Sequence, residues 1–529
     1  MNSVDYLFFV IIGSGIAGLI FIIRSYAKGL KGTPREMWIL FASKVLEYTA
    51  YSAINMAIAL WLTRDCGLGD IVTGTYIMTW SVMLSVMNMV AGAIADTIGL
   101  KKTMIMSACF LIFSRIVMTF FTNPVIVFIF GFIPLAIGFA VVLPVVSIAI
   151  KRYTTKEQAA MGFGLFYVVM NLAFAIGGFY FDKVREIFSL RNAEGVVIDE
   201  NAGTMILGHH FSTYQLFFLF GIGFTILSLS VLFLMREGVR RTEEGVEITP
   251  LKDHGSGSAA IKSAAKDTAV KLKAVFAEKY FWIFIGMLST TIFVRFIFFH
   301  FHYTFPKYGI RVLGEGAKIG TVFGVLNPVL VIYMTPIVAY FTKKVSSYKM
   351  LIVGSIVSSF SCFIAVIPAD TFAWLTDTML GELIFINWLG LASESSELAA
   401  MVSNHHIAAY WPLIVFITVF TLGEAIWSPR LMQFTAEIAP KGKEGTYIGL
   451  SVLPWFAAKF VVGPMSGILL AKYVPTTEAG KALGFYPDHS TVWAWIGGMA
   501  LLTPAFLLIF RKLFTHKIDA TESETVEVV

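Results

Sequence analysis

Six ionisable side chains stand inside stretches that are otherwise apolar: Lys44, Glu47, Arg115, Arg295, Glu424 and Lys459. In a bilayer each costs roughly 2.5–3.5 kcal/mol at a helix centre, so it persists by pairing or by facing water. Lys44 and Glu47 lie at i and i+3 on one helix face, and Tyr48 and Tyr51 extend that stripe. The spacing predicts either an internal ion pair that packs helices or a cavity wall with a titratable carboxylate. Glu424 has no base within a turn of its own helix, so its partner is expected from another helix, with Lys459 and Arg295 the choices. A carboxylate whose salt bridge is exchanged for a proton or a substrate amine is the chemistry of coupled transport. Lys459 or Arg295 could also hold a substrate carboxylate. Four of the six charges are positive and two negative, which favours an anionic or zwitterionic solute. Tyr167, Trp427 and Trp455 are expected to line the cavity, and Asn171 to bond either a substrate or a neighbouring helix. Arg115, on the third core helix, is expected in a structural role. His300 and His302 read as interfacial histidines in a wet outer rim. The adjacent pairs His209-His210 and His405-His406 point apart on regular structure, and no metal site is expected.

The elements that must hold these groups are membrane helices. Of 529 residues, 57% are hydrophobic and 14% charged, with a mean hydropathy of +0.76, which identifies a polytopic membrane protein. Apolar segments about twenty residues long occur at 6–24, 37–62, 73–95, 103–121, 124–149, 158–181, 213–236, 279–304, 319–342, 349–367, 408–428, 446–471 and 491–511. They predict one extra N-terminal helix and twelve core helices. The N-terminal segment is followed by its positive charges, Arg24, Lys28 and Lys31, so it reads as a retained helix and not a signal peptide. Lys/Arg clusters alternate with basic-poor loops, which puts the N-terminus outside and the C-terminus in the cytoplasm, in a plasma (bacterial inner) membrane. The loop at 182–212 is the exception, carrying Lys183, Arg185 and Arg191. The net charge of +6 follows from these loop bases and does not argue for nucleic acid. Cys66, Cys109 and Cys362 share no motif, and there is no Walker-type loop, zinc spacing or nucleophile elbow, so an enzyme is not expected.

The domain reading is 1–36 for the extra helix and basic loop, 37–236 for a first six-helix bundle, and 237–278 for a cytoplasmic linker ending in a basic amphipathic helix. A second bundle runs from 279 to 511 with an outer insertion at 368–407, and a tail follows at 512–529. The insertion's apolar core, 379–392, is too short to span and contains Glu382. It predicts a surface or re-entrant segment.

The chain also repeats itself. Gly138, Pro144, Lys156, Glu157 and Gly162 recur in the same order as Gly423, Pro429, Lys443, Glu444 and Gly449. Duplicated membrane units of this kind place a substrate site between their halves. Pro144, Pro429 and Pro328 permit bends where gates close. At paired positions Phe139 faces Glu424, and Leu143 faces Ser428. Polar chemistry is kept there only in the second half.

Gly92-Ala-Ile-Ala-Asp96-Thr-Ile-Gly99-Leu-Lys101-Lys102 resembles the cytoplasmic loop signature of the major facilitator superfamily, where the loop latches the two halves. Its counterpart, 336–344, keeps the basic pair but has Tyr340 at the acidic position. Glu47-Tyr-Thr-Ala-Tyr51, Phe166-Tyr167-Val-Val-Met-Asn171 and Gly423-Glu424-Ala-Ile-Trp427-Ser428-Pro429 resemble the proton-dependent oligopeptide transporter (POT) branch. The resemblance implies an all-α major facilitator fold, alternating access, and protons as the coupling ion through Glu424 and Glu47. It also implies a short peptide or amino-acid-like substrate and no cofactor beyond a proton gradient. The remaining partner is the lipid bilayer, and a monomer is expected. Lys44, Tyr48, Asn55 and Leu143 depart from the branch pattern at positions that carry coupling and peptide-carboxylate binding in its members. Two other readings stay open: an uncoupled facilitator or exporter of a larger amphiphile, and a non-transporting receptor or assembly partner.

Overall fold

The computed structural model describes residues 3–193, 195–242, 244–248, 266, 270, 273–392, 407–437, 450–451, 453–476, 486 and 488–512, without the side chains of 89–93, 96–97, 143 and 432. Most of the linker between 249 and 272, the second copy's Lys443, Glu444 and Gly449, and the side chain of Asp96 lie outside these.

Helix α1 is Ser3–Gly29. The first bundle is α2 (Arg35–Arg64), α3 (Asp70–Ile98), α4 (Leu100–Phe120), α5 (Pro124–Tyr153), α6 (Lys156–Phe188) and α7 (Thr213–Phe233). Two small hairpins join α6 to α7: β1 (Leu190–Arg191) with β2 (Val197–Asp199), and β3 (Thr204–Ile206) with β4 (His209–Phe211). A third, β5 (Val239–Arg241) with β6 (Val246–Ile248), follows α7. The second bundle is α8 (Lys279–Ser289), α9 (Ile292–Tyr303), α10 (Phe305–Leu313), α11 (Gly320–Phe341), α12 (Ser347–Ile364), α13 (Met379–Trp388), α14 (Tyr410–Glu437), α15 (Leu453–Tyr473) and α16 (Thr491–Ile509). Among the described residues, eleven helices are long and apolar enough to cross a membrane, or twelve if α8 and α9 form one bent span. The 29-residue α3 runs beside them.

The single span expected over 279–304 is instead bent by 58° between α8 and α9. The cause is Thr290-Thr291. Their hydroxyls donate to the carbonyls of Met287 and Leu288, both at 2.7 Å. This back-bonding competes with the helix ladder and bends it. Beyond the break, the amide of Val294 donates to Thr503 Oγ1 of α16 at 3.0 Å, so that orphan donor is satisfied.

The repeat has a packing meaning. A Cβ on Gly138 of α5 would lie 2.6 Å from Leu111 of α4, and one on Gly423 of α14 would lie 2.6 Å from the Ser358 amide of α12. In each bundle the glycine lets the fourth helix close on the third. Gly99 does a different job: at φ +94 it turns the chain between α3 and α4, a conformation open to glycine.

The bundles meet at the end where α2 finishes and α3 begins. Two helix pairs cross there at glycines, α6 on α11 through Gly178, Gly320 and Gly324, and α3 on α15 through Gly74 and Gly463. A Cβ on Gly178 would sit 2.6 Å from the Gly324 carbonyl carbon, and one on Gly463 would sit 2.8 Å from the Gly74 oxygen. Ions lock the same end. Asp70 takes Lys307 and Arg311 at 2.9 Å. Asp182 caps α11 across the interface, accepting from the Gly320 and Thr321 amides at 2.9 and 2.6 Å. Arg64 pairs with Glu315, and Lys318 reaches Glu186 at 2.7 Å. Arg185 binds both Asp182 and the loop residue Glu200. Burial alone would raise the Glu200 carboxyl, but Arg185 and then Arg64 outweigh it and hold it below its ordinary value. Its stabilising charge is therefore present above the carboxylate range and is lost only as pH falls through that lowered value.

Two outcomes are expected from spin-label distances across this end, one label on each bundle. The Glu200 carboxylate, held below its ordinary value by Arg185 and Arg64, stays charged above about pH 5.5, so its tie to Arg185 adds no pH dependence to the distance there. Gly463→Leu overpacks the crossing by about 1–3 kcal/mol and lengthens the distance.

Candidate functional site

A cavity of about 250 Å³ lies between the bundles at mid-depth. The first bundle contributes Tyr51, Ser52, Tyr167 and Asn171 with apolar neighbours. The second contributes Arg295, His302, Asn327, Pro328, Glu424 and Ser428. Every carboxylate, arginine and histidine on the wall thus comes from the second bundle.

Glu424 is buried on α14, one turn after Phe420 in the aromatic core of that bundle. Its Oε2 accepts from Asn327 Nδ2 at 3.0 Å, and the same amide group donates to Thr421 Oγ1 at 2.9 Å. Asn327 is held at the point where α11 changes from its π-type first turns, Gly320–Val325, to regular helix, just before Pro328. No described base comes within 4.0 Å of the Glu424 carboxylate. Arg295 of α9 faces the same cavity, with its guanidinium 4.9 Å from the Trp427 ring and 4.0 Å from Trp455. Its Nε is buried without a hydrogen-bond partner. Two indoles hold a guanidinium by cation–π attraction while leaving its N–H groups for another acceptor. The cavity therefore offers a carboxylate bonded by a neutral amide and a cation steadied by ring faces.

The other residues singled out from the sequence are distributed differently. The expected Lys44–Glu47 pair is not formed. Glu47 binds Arg115 at 2.6 Å and accepts from Thr225 at 3.1 Å, so α2, α4 and α7 are joined inside the first bundle. Arg115 is fully buried there, donating also to the Gly221 carbonyl at 2.8 Å. A guanidinium reaches across a bundle where a lysine three residues away is held by its own helix geometry. Lys44 is buried with no ion pair among the described residues. Tyr48 packs on Phe166 and Phe174, and Asn55 is buried; neither lines the cavity. Lys459 leaves the cavity for α3, donating to Ser81 O at 3.2 Å and Ser85 Oγ at 2.8 Å, and so becomes part of the contact between bundles. Trp427 is buried with its Nε1 bonded to Ser358 Oγ at 3.0 Å, touching the site only through Arg295. Asn171 lines the cavity and donates to its own helix at Tyr167 O, 2.9 Å. His300 is fully buried against Thr304 at 2.7 Å, and His302 is on the cavity wall, so neither sits in a wet rim. Pro144 and Pro429 fall inside α5 and α14.

The basic loop after α3 is bonded within its own bundle. Lys101 donates from its backbone to Glu237 and from its ammonium to Phe233 O, both at 3.0 Å. Gly92 precedes it in α3, and among the described residues Lys102 makes no ion pair with the second bundle. The residues that sequence reasoning passed over are Asn327 as the partner of Glu424, Ser52 on the wall, and the ion network at the closed end. Lys307 and Arg311, at i and i+4 after a membrane segment, were the available signal.

Comparison with known proteins follows this geometry. The family described as the Major Facilitator Superfamily matches residues 40–461. This chain belongs to the major facilitator superfamily. It is a multi-pass membrane transporter of that superfamily, not an enzyme. No curated protein matches it. A solved peptide transporter POT in complex with sulfate is similar in fold, with TM-score 0.60 at 14% identity over 93% of this chain and 99% of that one. A POT family transporter in complex with a thioalcohol-conjugated peptide gives 0.61 at 14% identity, covering 92% and 98%. Another in complex with 5-aminolevulinic acid gives 0.56 at 13% identity, covering 91% and 97%. The transporter thus shares the fold of POT proteins, with α1 in addition to the twelve-helix core.

For this superfamily member, Glu47→Gln leaves the Arg115 charge buried and unpaired. A loss of about 3–5 kcal/mol is expected, read as a large drop in unfolding temperature. The double variant Glu47→Leu/Arg115→Met recovers much of it, because the uncompensated charge is gone.

Proposed function

We propose that this transporter moves a small zwitterionic or anionic organic solute, with a short peptide or amino-acid derivative favoured, and couples that movement to protons at Glu424. The observation that carries the reading is the pairing of Glu424 with Asn327 beside an Arg295 guanidinium that has no protein acceptor at Nε. An amide-bonded carboxylate with no cation in contact can take or release a proton without a salt bridge being broken. Arg295 supplies the complementary charge for a substrate carboxylate, and Glu424 one for a substrate amine. The POT proteins of like fold bind a conjugated peptide and 5-aminolevulinic acid, which supports this class of solute. Glu47 is left out of the coupling in this proposal, because Arg115 already neutralises it. Alternating access would rock the bundles about the glycine crossings, breaking the Asp70 and Asp182 contacts to open that end.

The membrane orientation proposed is N-terminus outside and C-terminus in the cytoplasm of the plasma membrane. The basic loops at Arg24/Lys28/Lys31/Arg35, Lys101/Lys102 and Lys151/Arg152/Lys156 support it, with Lys183, Arg185 and Arg191 the exception on the other side. Arg185 is tied to Asp182 and Glu200, and Lys183 to Glu186.

A second reading, an uncoupled facilitator, has one observation in its favour: the first bundle adds no carboxylate, lysine or arginine to the cavity wall. Uptake into proteoliposomes with and without an imposed pH gradient separates the two. Accumulation above the outside concentration that needs the gradient and is abolished in Glu424→Gln is the expected result. Equilibration without accumulation, unchanged by Glu424→Gln, would establish the facilitator instead.

A further inference from the structure

A second cavity, about 820 Å³, opens beside the first toward the end of α11 that carries Tyr340. It has no ionisable wall residue apart from tyrosines, and its lining includes Phe21 and Tyr26 of α1, Phe163 of α6, and Ile332 and Pro336 of α11. The two cavities share Tyr167, Val331 and Ser428 on their walls, so they adjoin at one face.

The outer wall of this side cavity is α1, which belongs to neither bundle. The first bundle holds it by Gln158, whose Nε2 donates to the carbonyls of Gly29 and Lys31 at 3.2 and 3.0 Å. The second bundle holds it by Tyr333, whose hydroxyl donates to Gly15 O at 2.6 Å, and by Asn387 of α13, which donates to Asp5 at 2.7 Å. The insertion helix α13 therefore anchors the start of α1. The added helix lies over the seam between α6 and α11 and walls one side of an apolar chamber that stays open past Phe21 and Tyr340, both largely exposed.

We infer that the substrate is an amphiphile, with a compact zwitterionic head at Arg295 and Glu424 and an apolar chain lying in the chamber walled by α1, α6 and α11. This rests on the central cavity being the substrate site. The charge pattern selects the occupant: a cation and a carboxylate sit at one end, and a volume typical of a whole drug-sized ligand, without charge, continues from it. A short peptide alone would fill the polar cavity and leave the chamber empty. An apolar molecule alone would leave Arg295 and Glu424 unanswered.

Nε-acetyl-, Nε-octanoyl- and Nε-palmitoyl-lysine keep one zwitterionic head and differ only in chain length, so they test the inference. Binding is measured on the full chain in lipid nanodiscs, for the wild type, Ala339→Trp, which fills the chamber, and Arg295→Ala. The dissociation constant is expected to fall by up to about fourfold for each methylene buried. Ala339→Trp should flatten that dependence while acetyl-lysine still binds, and Arg295→Ala should weaken the whole series. If all three ligands bind the wild type alike and Arg295→Ala still weakens them, the chamber does not take the chain and the inference fails, while the central site stands. If chain length matters but Arg295→Ala and the head make no difference, the central-site reading fails and the inference with it.

Discussion

Buried carboxylates of the first bundle hold the second bundle at one end, and the rest of the arrangement depends on it. Asp182 satisfies the first amides of α11, and Asp70 gathers Lys307 and Arg311. A helix start and two cations are thereby committed across an interface with little water to replace their partners. The glycines of α3, α6, α11 and α15 bring the backbones close enough for those bonds to form. That end is shut among the described residues, and the apolar chamber under α1 adjoins the cavity at Glu424.

The charges divide into two populations by the same logic. Some are neutralised within or between bundles and serve packing: Glu47 with Arg115, Arg185 with Asp182 and Glu200, and Arg64 with Glu315. Lys459 is spent on α3 hydroxyl and carbonyl groups. What is left on the cavity wall is Glu424, held by an amide, and Arg295, held by indole faces. Both holders fix position without cancelling charge. That separates a group available to a substrate from one that is merely tolerated in the membrane.

The duplication explains the frame, and its loss of symmetry explains the site. Gly138 and Gly423 perform the same close approach in the two bundles. The positions next to them have diverged. Phe139 lies edge-on to Tyr51 at 4.6 Å and under the Arg115 guanidinium, while its counterpart Glu424 faces the cavity. One half has kept packing where the other has kept chemistry.

The sequence by itself determined the class of fold, because bilayer thickness and the alternation of loop bases are one-dimensional constraints. Helix α1, the twelve-helix core and the glycine–proline repeat were all legible in it. It also singled out Glu424 and Arg295, since a charge in an apolar run is conspicuous wherever the helix points. It could not say which charges meet. The i, i+3 spacing of Lys44 and Glu47 suggested a pair, yet Arg115 from another helix takes Glu47, since partner choice inside a bundle depends on helix rotation and on side-chain reach. Nor could it find the break between α8 and α9, which needs Thr290 and Thr291 to turn their hydroxyls onto the backbone. The chamber beneath α1 was invisible for the same reason: its walls come from four helices far apart in the chain, and only their packing forms it.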